Sequence, residues 1–424
     1  MRSPIPDYLA STLSDVRDDD SGAVADYIPE LAKADPDRLA VAVAMTDGYL
    51  YEAGDTDVEF SIQSISKPFV YALALADRGF DDVLDRVGVE PTGDAFNEIS
   101  LEPVTGRPRN PMINAGALTV HTLVGAPGAG PGTRTARLLD GLSAFAGRRL
   151  HVDEAVFESE LAHSFRNRAL ANMLRANDVV AEDPLITVAG YTRQCAVLVN
   201  TRDLAMMAAT LANKGVNPLT GEEVVSARVV RQTLSVMSTC GMYDGAGDWM
   251  TRVGVPAKSG VSGGLIAALP GQLGIATFSP RLDAHGNSVR GTELFQRFAE
   301  EMNLHIMEAN SAPLSVIRST GVIDHGGRPL YVMTLQGSIR FAGGERVTRE
   351  IVLRTPPCRR VAVDVSRVYT LGEAAHLMLR QTLERLCADG HRVYLVDADA
   401  RFGPDFAGDL DVGLVTSLDE IRPV

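Results

Sequence analysis

Phe60-Ser-Ile-Gln-Ser-Ile-Ser-Lys67 and, far downstream, Pro256-Ala-Lys-Ser-Gly-Val-Ser-Gly-Gly264 decide how this chain is read. Ser64 and Lys67 form its only Ser-x-x-Lys. The apolar positions Ile65, Phe69, Ala72, Leu73 and Ala76 keep helical spacing, which predicts a helix from Ser64 with Pro68 tolerated in the first turn. That spacing puts a hydroxyl and an amine on one face, a turn apart. A serine hydroxyl is a poor nucleophile until a base removes its proton, and a desolvated lysine of lowered pKa is such a base. Taken alone, the motif is equally a solvated helix start. Lys258-Ser259-Gly260 changes the balance, because it precedes an apolar strand that glycine allows to approach a substrate closely. The backbone N–H groups of Ser64 and Val261 are then candidate oxyanion donors.

Outward from these motifs, Val41–Ala44 and Tyr49–Ala53, split by Asp47-Gly48, read as a β-hairpin. The middle of the chain is helical in pattern, with apolar stripes over Thr133–Ala146, Phe165–Leu174 and Thr201–Lys214. Strands return at Gly263–Leu269 and Gly274–Thr277. Strands at both ends around a helical insert imply one sheet completed by distant parts of the chain. Gly125–Gly132 lacks the lysine and the glycine spacing of a phosphate loop and reads as a plain loop.

A length of 424 residues calls for more than one structural unit. Glu308-Ala-Asn-Ser-Ala-Pro-Leu314 has the composition of a linker. The boundaries expected are an N-terminal extension at 1–21, a catalytic domain at 22–307, a linker at 308–315 and a smaller α/β domain at 316–424. In the last, Pro329–Gln336, Arg360–Val365 and Arg392–Val396 read as strands and Glu373–Ala388 as a helix closed by Gly390. From Ser311 onward 14 arginines balance 14 acidic residues, so the net charge of −14 belongs to the catalytic part. An acidic catalytic part argues against nucleic acid as a partner. No apolar run is long enough for a membrane span, and the N-terminus lacks the apolar core of a signal peptide, so a cytoplasmic protein is expected. The four cysteines lie far apart and read as buried thiols, and the eight histidines show no ligand spacing; neither a metal nor an organic cofactor is expected.

Ser-x-x-Lys followed by Lys-Ser/Thr-Gly is the pairing of penicillin-binding proteins and serine β-lactamases. More specifically, residues 22–304 resemble the serine-dependent glutaminases that share that fold. The resemblance rests on Ala25-Asp-Tyr-Ile-Pro-Glu-Leu31, Phe60–Lys67, Asn110-Pro-Met-Ile-Asn-Ala-Gly-Ala117, Met207-Ala-Ala-Thr-Leu-Ala-Asn213, Cys240-Gly-Met-Tyr-Asp244 and Pro256–Val261. It implies an α/β (α+β) fold, a β-lactamase-like sheet with a helical subdomain. It makes Ser64 the nucleophile, Lys67 its proton acceptor and Tyr243 a further proton-transfer group. It also places Tyr27, Asn114, Glu160, Asn167, Tyr191 and the Val261 backbone around L-glutamine, and implies a homo-oligomer. A glutamine zwitterion needs an anion facing its ammonium, for which Glu160 is the candidate, and amide or phenol groups for its carboxylate. Read without the resemblance, Asn114 could cap a helix, Asn167 could serve a turn, and the tyrosines could be core aromatics. Between Glu160 and Asn167 the chain is less polar than the family pattern. A glutamine sensor without turnover, or another amidase or esterase on this fold, are the competing readings.

The last hundred residues resemble STAS domains through Tyr331-Val-Met-Thr-Leu-Gln-Gly-Ser338, the Arg360–Val368 strand, the helix after it and the Gly390–Val396 return. That resemblance implies a protein or small-ligand partner. Where such domains carry a phosphorylated serine at a helix start, this chain has Gly372-Glu373-Ala374, which points to constitutive contact rather than a phospho-switch.

Overall fold

The structure, a computed structural model, describes residues 3–92, 101–308, 315–354, 356–399, 402 and 412–422. It forms two units, one of Leu9–Gln296 with His305–Met307, the other of Met1–Tyr8, Arg297–Leu304 and Glu308–Val424. Most of the expected linker, residues 309–314, lies outside the described residues.

In chain order the elements up to residue 302 are α1 (Ile5–Val16), α2 (Pro29–Ala32), β1 (Ala40–Met45), β2 (Leu50–Gly54), β3 (Phe60–Ser61), α3 (Ser66–Arg78), α4 (Phe80–Arg86), α5 (Asn114–His121) and α6 (Pro131–Ala146). Then come β4 (His151–Val152), α7 (Glu154–Ala162), α8 (Phe165–Ala176), α9 (Pro184–Cys195), β5 (Val197–Val199), α10 (Thr201–Ala212) and α11 (Ala227–Cys240). They are followed by α12 (Ala246–Arg252), β6 (Ala257–Ser259), β7 (Gly264–Leu269), β8 (Leu273–Phe278) and α13 (Val289–Met302).

The main sheet has the order β2-β1-β8-β7-β6, antiparallel throughout. The hairpin turns at Asp47-Gly48 as expected, with Gly48 at φ +93, and pairs Val43 with Tyr51. Register pairs Ala40 of β1 with Phe278 of β8, so the two ends of the larger unit meet edge to edge. β1, β7 and β8 are buried along their whole length. Such a sheet needs cover on its faces, and α10 supplies one of them. A Cβ on Gly274 would stand 2.2 Å from the Ala209 nitrogen, so glycine lets α10 lie directly on β8. α10 starts with a reciprocal capping box between Asn200 and Asp203.

The helix after the Ser-x-x-Lys begins two residues later than its spacing predicts. Gln63–Ile65 form a single 3-10 turn, and α3 takes over at Ser66. α3 is buried on every side from Ser66 to Leu75, the mark of a central helix. Residues 1–21 contain α1, whose Ile5, Leu9, Leu13 and Val16 are buried at helical spacing. Two of the four cysteines, Cys195 and Cys240, are buried; Cys358 and Cys387 are half-buried.

Beyond residue 315 the elements are β9 (Ile317–Asp324), β10 (Pro329–Ile339), α14 (Phe341–Leu353), β11 (Arg360–Leu371), α15 (Glu373–Ala388), β12 (Arg392–Val396) and β13 (Val412–Val415). They build a sheet of order β13-β12-β11-β10-β9, parallel except for β9. Parallel neighbours need helical crossovers, and α14 and α15 are the first two. The sequence did not announce α14, which contains Gly343-Gly344. Glycine is required there: a Cβ on Gly344 would lie 3.0 Å from the Ala375 Cα, so α14 seats against α15 only without side chains. No described helix is long and apolar enough to cross a membrane.

Candidate active site

Ser64 sits inside the 3-10 turn between β3 and α3. Gln63, just before it, has φ +51, a left-handed conformation that non-glycine residues adopt only when their surroundings hold them there. Three contacts do so. The Gln63 side-chain nitrogen donates to Ser61 Oγ (3.1 Å) and to Glu160 Oε1 (3.0 Å), and its carbonyl accepts from Ser66 Oγ (2.8 Å). Gln194 Nε2 donates to Ser66 Oγ (2.9 Å), so the Gln194 oxygen is left to accept from His121 Nδ1 at 3.1 Å. That chain fixes the His121 tautomer as Nδ1–H. Burial, reinforced by the Arg134 charge, pushes the His121 pKa down to about 4 and keeps the ring neutral.

One turn after Ser64, Lys67 is 1% exposed. Its Nζ donates to Asn114 Oδ1 (2.7 Å) and lies 3.3 Å from the Tyr243 hydroxyl. Among the described residues no carboxylate pairs with it, and burial pushes its pKa down to about 7. Tyr243, at φ +55, hydrogen-bonds Ser64 through its hydroxyl, while burial raises its pKa and keeps it a phenol. Under the Tyr243 ring lies a second buried amine. Lys258 Nζ is 3.9 Å from the ring centroid and donates to the Ser259 carbonyl (2.8 Å). Burial, then the charge of Lys67, holds the Lys258 pKa well below the usual lysine range.

Above this group opens a cavity of about 290 Å³. Of the residues singled out from sequence, Tyr27, Ser64, Asn114, Glu160, Asn167, Tyr191 and Val261 line it, and Lys67 and Tyr243 sit at its Ser64 end. Glu160, on α7, accepts from the Tyr27 hydroxyl at 2.7 Å as well as from Gln63. Burial outweighs both hydrogen bonds and raises its pKa. Asn114, first residue of α5, spends its amide on the site rather than on a cap: its oxygen accepts from Lys67 and its Nδ2 donates to Asn167 Oδ1 on α8 (3.1 Å). Tyr191, on α9, is buried and bonded to Cys195. The Val261 N–H donates to no backbone carbonyl among the described residues, which leaves it open to the cavity.

A serine–lysine–tyrosine group thus lies under an amino-acid-sized cavity, in a chain that has relatives among known proteins. The glutaminase sequence profile matches residues 22–307. The chain belongs to the glutaminase family. As a family member it is an amidohydrolase acting on the carbon–nitrogen bond of a linear amide. The glutaminase of Corynebacterium glutamicum is 47% identical over 403 residues, spanning 95% of this chain and 96% of the relative. That of Clavibacter michiganensis subsp. michiganensis is 54% identical over 297 residues, 70% of this chain and 90% of the relative. Among solved structures, Mglu in its glutamate form is 43% identical with a TM-score of 0.72, covering 94% of this chain and 99% of that one. The probable glutaminase ybaS is 40% identical with a TM-score of 0.69, covering 72% and 98%.

The residues singled out from sequence leave out Gln63, His163, Ser164, Arg166, Thr192 and Cys195, which also line the cavity. Gln63 and Arg166 each immediately precede a residue that was singled out, and Cys195 lies one helical turn after Tyr191. Lys258 was visible as a motif but not as a group under Tyr243. Among the described residues no cluster of three or more metal-binding side chains occurs.

Proposed function

We propose that this glutaminase hydrolyses L-glutamine to L-glutamate and ammonia through a γ-glutamyl ester on Ser64. The observation that carries this reading is the buried Lys67 amine, held by two neutral partners and poised to exist unprotonated near neutrality. Lys67 takes the hydroxyl proton as Ser64 Oγ bonds to the carboxamide carbon. The N–H groups of Ser64 and Val261 hold the oxyanion. On collapse the carbon–nitrogen bond breaks; the leaving nitrogen takes the Tyr243 proton, and Lys67 returns its own to the tyrosine oxygen. Water then adds to the ester with Lys67 again as base, and Ser64 departs with its proton restored. Glu160 receives the substrate ammonium, and Tyr27, Asn114, Asn167 and Tyr191 supply phenol and amide groups to the rest of the amino acid. Mglu, crystallised in a glutamate form, supports a pocket that also holds the product.

The test is ammonia release from glutamine by purified Ser64→Ala. Less than a few per cent of the wild-type rate is expected, and a retained rate overturns the nucleophile assignment. A glutamine sensor without turnover is disfavoured by the complete Ser64, Lys67 and Tyr243 group, and the wild-type arm of the same assay decides it.

We further infer a catalytic domain at 22–307, a linker at 308–315 and a STAS-like domain at 316–424, in a cytoplasmic homo-oligomer. One antiparallel edge strand on a parallel sheet with two adjacent helices supports the STAS-like reading. Glu373 at the start of α15, capped by Gly372 without a hydroxyl, supports constitutive contact with a protein or small-ligand partner.

A further inference from the structure

A second cavity, of about 300 Å³, is lined by segments that also contribute residues to the substrate cavity. β3 gives Phe60 and Ser61 to it before the chain gives Gln63 and Ser64 to the first. The turn after β6 likewise gives Val261 to one and Ser262 to the other. The segment before β1 divides in the same way, Tyr27 reaching the first cavity and Glu30 the second.

Part of the second cavity is apolar, formed by Leu31, Val58, Val156 and Leu198 beside the stacked rings of Phe60 and Phe278, whose centroids are 4.0 Å apart. The rest is acidic: four carboxylates face two cations, Lys33 and Arg38. Three of the four are occupied. Asp153 caps α7 by accepting from the Ala155 and Val156 amides, Glu59 pairs with Arg148 at 3.0 Å, and Asp35 accepts from the Asp37 amide and pairs with Arg38 at 3.4 Å. Glu30 is different. Its Oε2 is buried and has no hydrogen-bond partner among the described residues. Ser262, 5% exposed, likewise has a buried Oγ without a partner.

A carboxylate oxygen only accepts, and a buried acceptor left unpaired is costly, so the cavity is built for a donor. Its acidic balance selects a charged donor, and its apolar wall and its size select an organic body. We propose that this cavity is a second ligand site, which binds a small molecule carrying a primary ammonium on a short aliphatic chain, with the Glu30 and Ser262 side chains turning their oxygens into the cavity to accept from the ammonium. Occupancy communicates with the substrate cavity by two routes. Ser61 Oγ accepts from the Gln63 nitrogen that also holds Glu160, and the Glu30 charge acts on Glu160 as a like charge. A cation on Glu30 reduces the negative potential at Glu160 and so weakens its hold on an incoming ammonium. This coupling, unlike the binding itself, rests on Glu160 being the ammonium site for glutamine.

The test titrates the full chain with n-butylammonium by calorimetry, with n-butanol as the uncharged control. The expected result is saturable binding of the ammonium but not the alcohol, persisting in saturating L-glutamate with an affinity lowered about twofold as reciprocal coupling requires, and weakened tenfold or more by Glu30→Gln and severalfold by Ser262→Ala. A melting temperature near that of wild type shows that the variants fold. Absence of saturable binding, complete competitive displacement by L-glutamate, or wild-type binding by folded Glu30→Gln would overturn the site. In the assay of ammonia release, saturating n-butylammonium is expected to raise the KM for glutamine at least twofold in wild type and to leave Glu30→Gln unaffected. An unchanged KM with binding intact overturns the coupling and leaves the chemistry at Ser64 untouched.

Discussion

Lys67 is held in the protein against the preference of its own charge, and the cost is measurable without reference to catalysis. Burial lowers its pKa from 10.5 to about 7. Below the unfolded pKa the unfolded chain binds the extra proton and the folded chain loses it, so stability rises with pH across the interval between the two values. At 1.36 kcal/mol per unit the penalty on folding is ~4 kcal/mol near pH 7 and ~2 kcal/mol near pH 9. Lys67→Met removes the titration while keeping length and bulk. It also removes the Lys67 hydrogen bonds to Asn114 Oδ1 and the Tyr243 hydroxyl, a loss of roughly 1 kcal/mol each, but that loss does not vary over this range. The difference in unfolding free energy between wild type and variant therefore reports the buried amine together with its coupling to Lys258. Wild type is expected to gain about 2 kcal/mol on the variant between about pH 7 and about pH 9. Urea unfolding followed by the fluorescence of Trp249, the only tryptophan in the chain, reports on the unit that holds the site. A difference that stays constant with pH would refute a depressed pKa at Lys67, and with it the lysine-base mechanism. The activity of wild type should show the same group, with kcat falling as pH drops through about 7 and Lys67 is protonated.

Glu160→Gln keeps the hydrogen-bonding shape of the pocket floor but removes the charge opposite the substrate ammonium. A loss of roughly 1.5–3 kcal/mol is expected, read as a ten- to hundredfold rise in KM, and an unchanged KM means that the ammonium lies elsewhere. Gly190→Ala would place a methyl group 2.3 Å from His121 Nε2, in a buried ring with no room to retreat. The displaced ring disturbs Gln194, Ser66 and the Gln63 carbonyl, so kcat should fall roughly tenfold or more although alanine favours a helix, as misplacement at a reacting centre does. Wild-type kcat in Gly190→Ala would show that the His121 chain does not position Ser64. A chain ending at Glu308 should retain ammonia release, because every residue lining the substrate cavity precedes it. A folded but inactive truncation would assign the later residues a part in the site or in the assembly.

The β1–β2 hairpin, α10 and α15 were legible and fall within a few residues of their expected limits, since each is bounded by a turn residue or a cap. β9 was illegible because nearly all of its residues are exposed, so no alternation marks it. α14 was hidden by two glycines, of which Gly344 makes room for Ala375 of α15 and Gly343 faces Val316 and Ile339. The start of α3 was misjudged because Ser64 belongs to a strained turn held by Gln63, and nothing in a glutamine announces a positive φ. At the site, residue types and order were readable where the motifs lay, but the support beneath them was not. Gln194 and His121 matter through hydrogen bonds that join α5 to α9, and Lys258 matters through the ring stacked above it.

The edge-to-edge pairing of β1 with β8 also governs when this protein becomes an enzyme. A ribosome that has released the first 250 residues has made the nucleophile, its base and the glutamate that meets the substrate, yet β1 has gained only its hairpin partner, and Val261 does not exist. Closing that sheet is a loop closure spanning more than half the chain, a slow class of contact to find. The serine and lysine of the site are therefore made well before the strand that carries Lys258 and the Val261 N–H, and the sheet beneath the site is complete only once β6, β7 and β8 have joined β1.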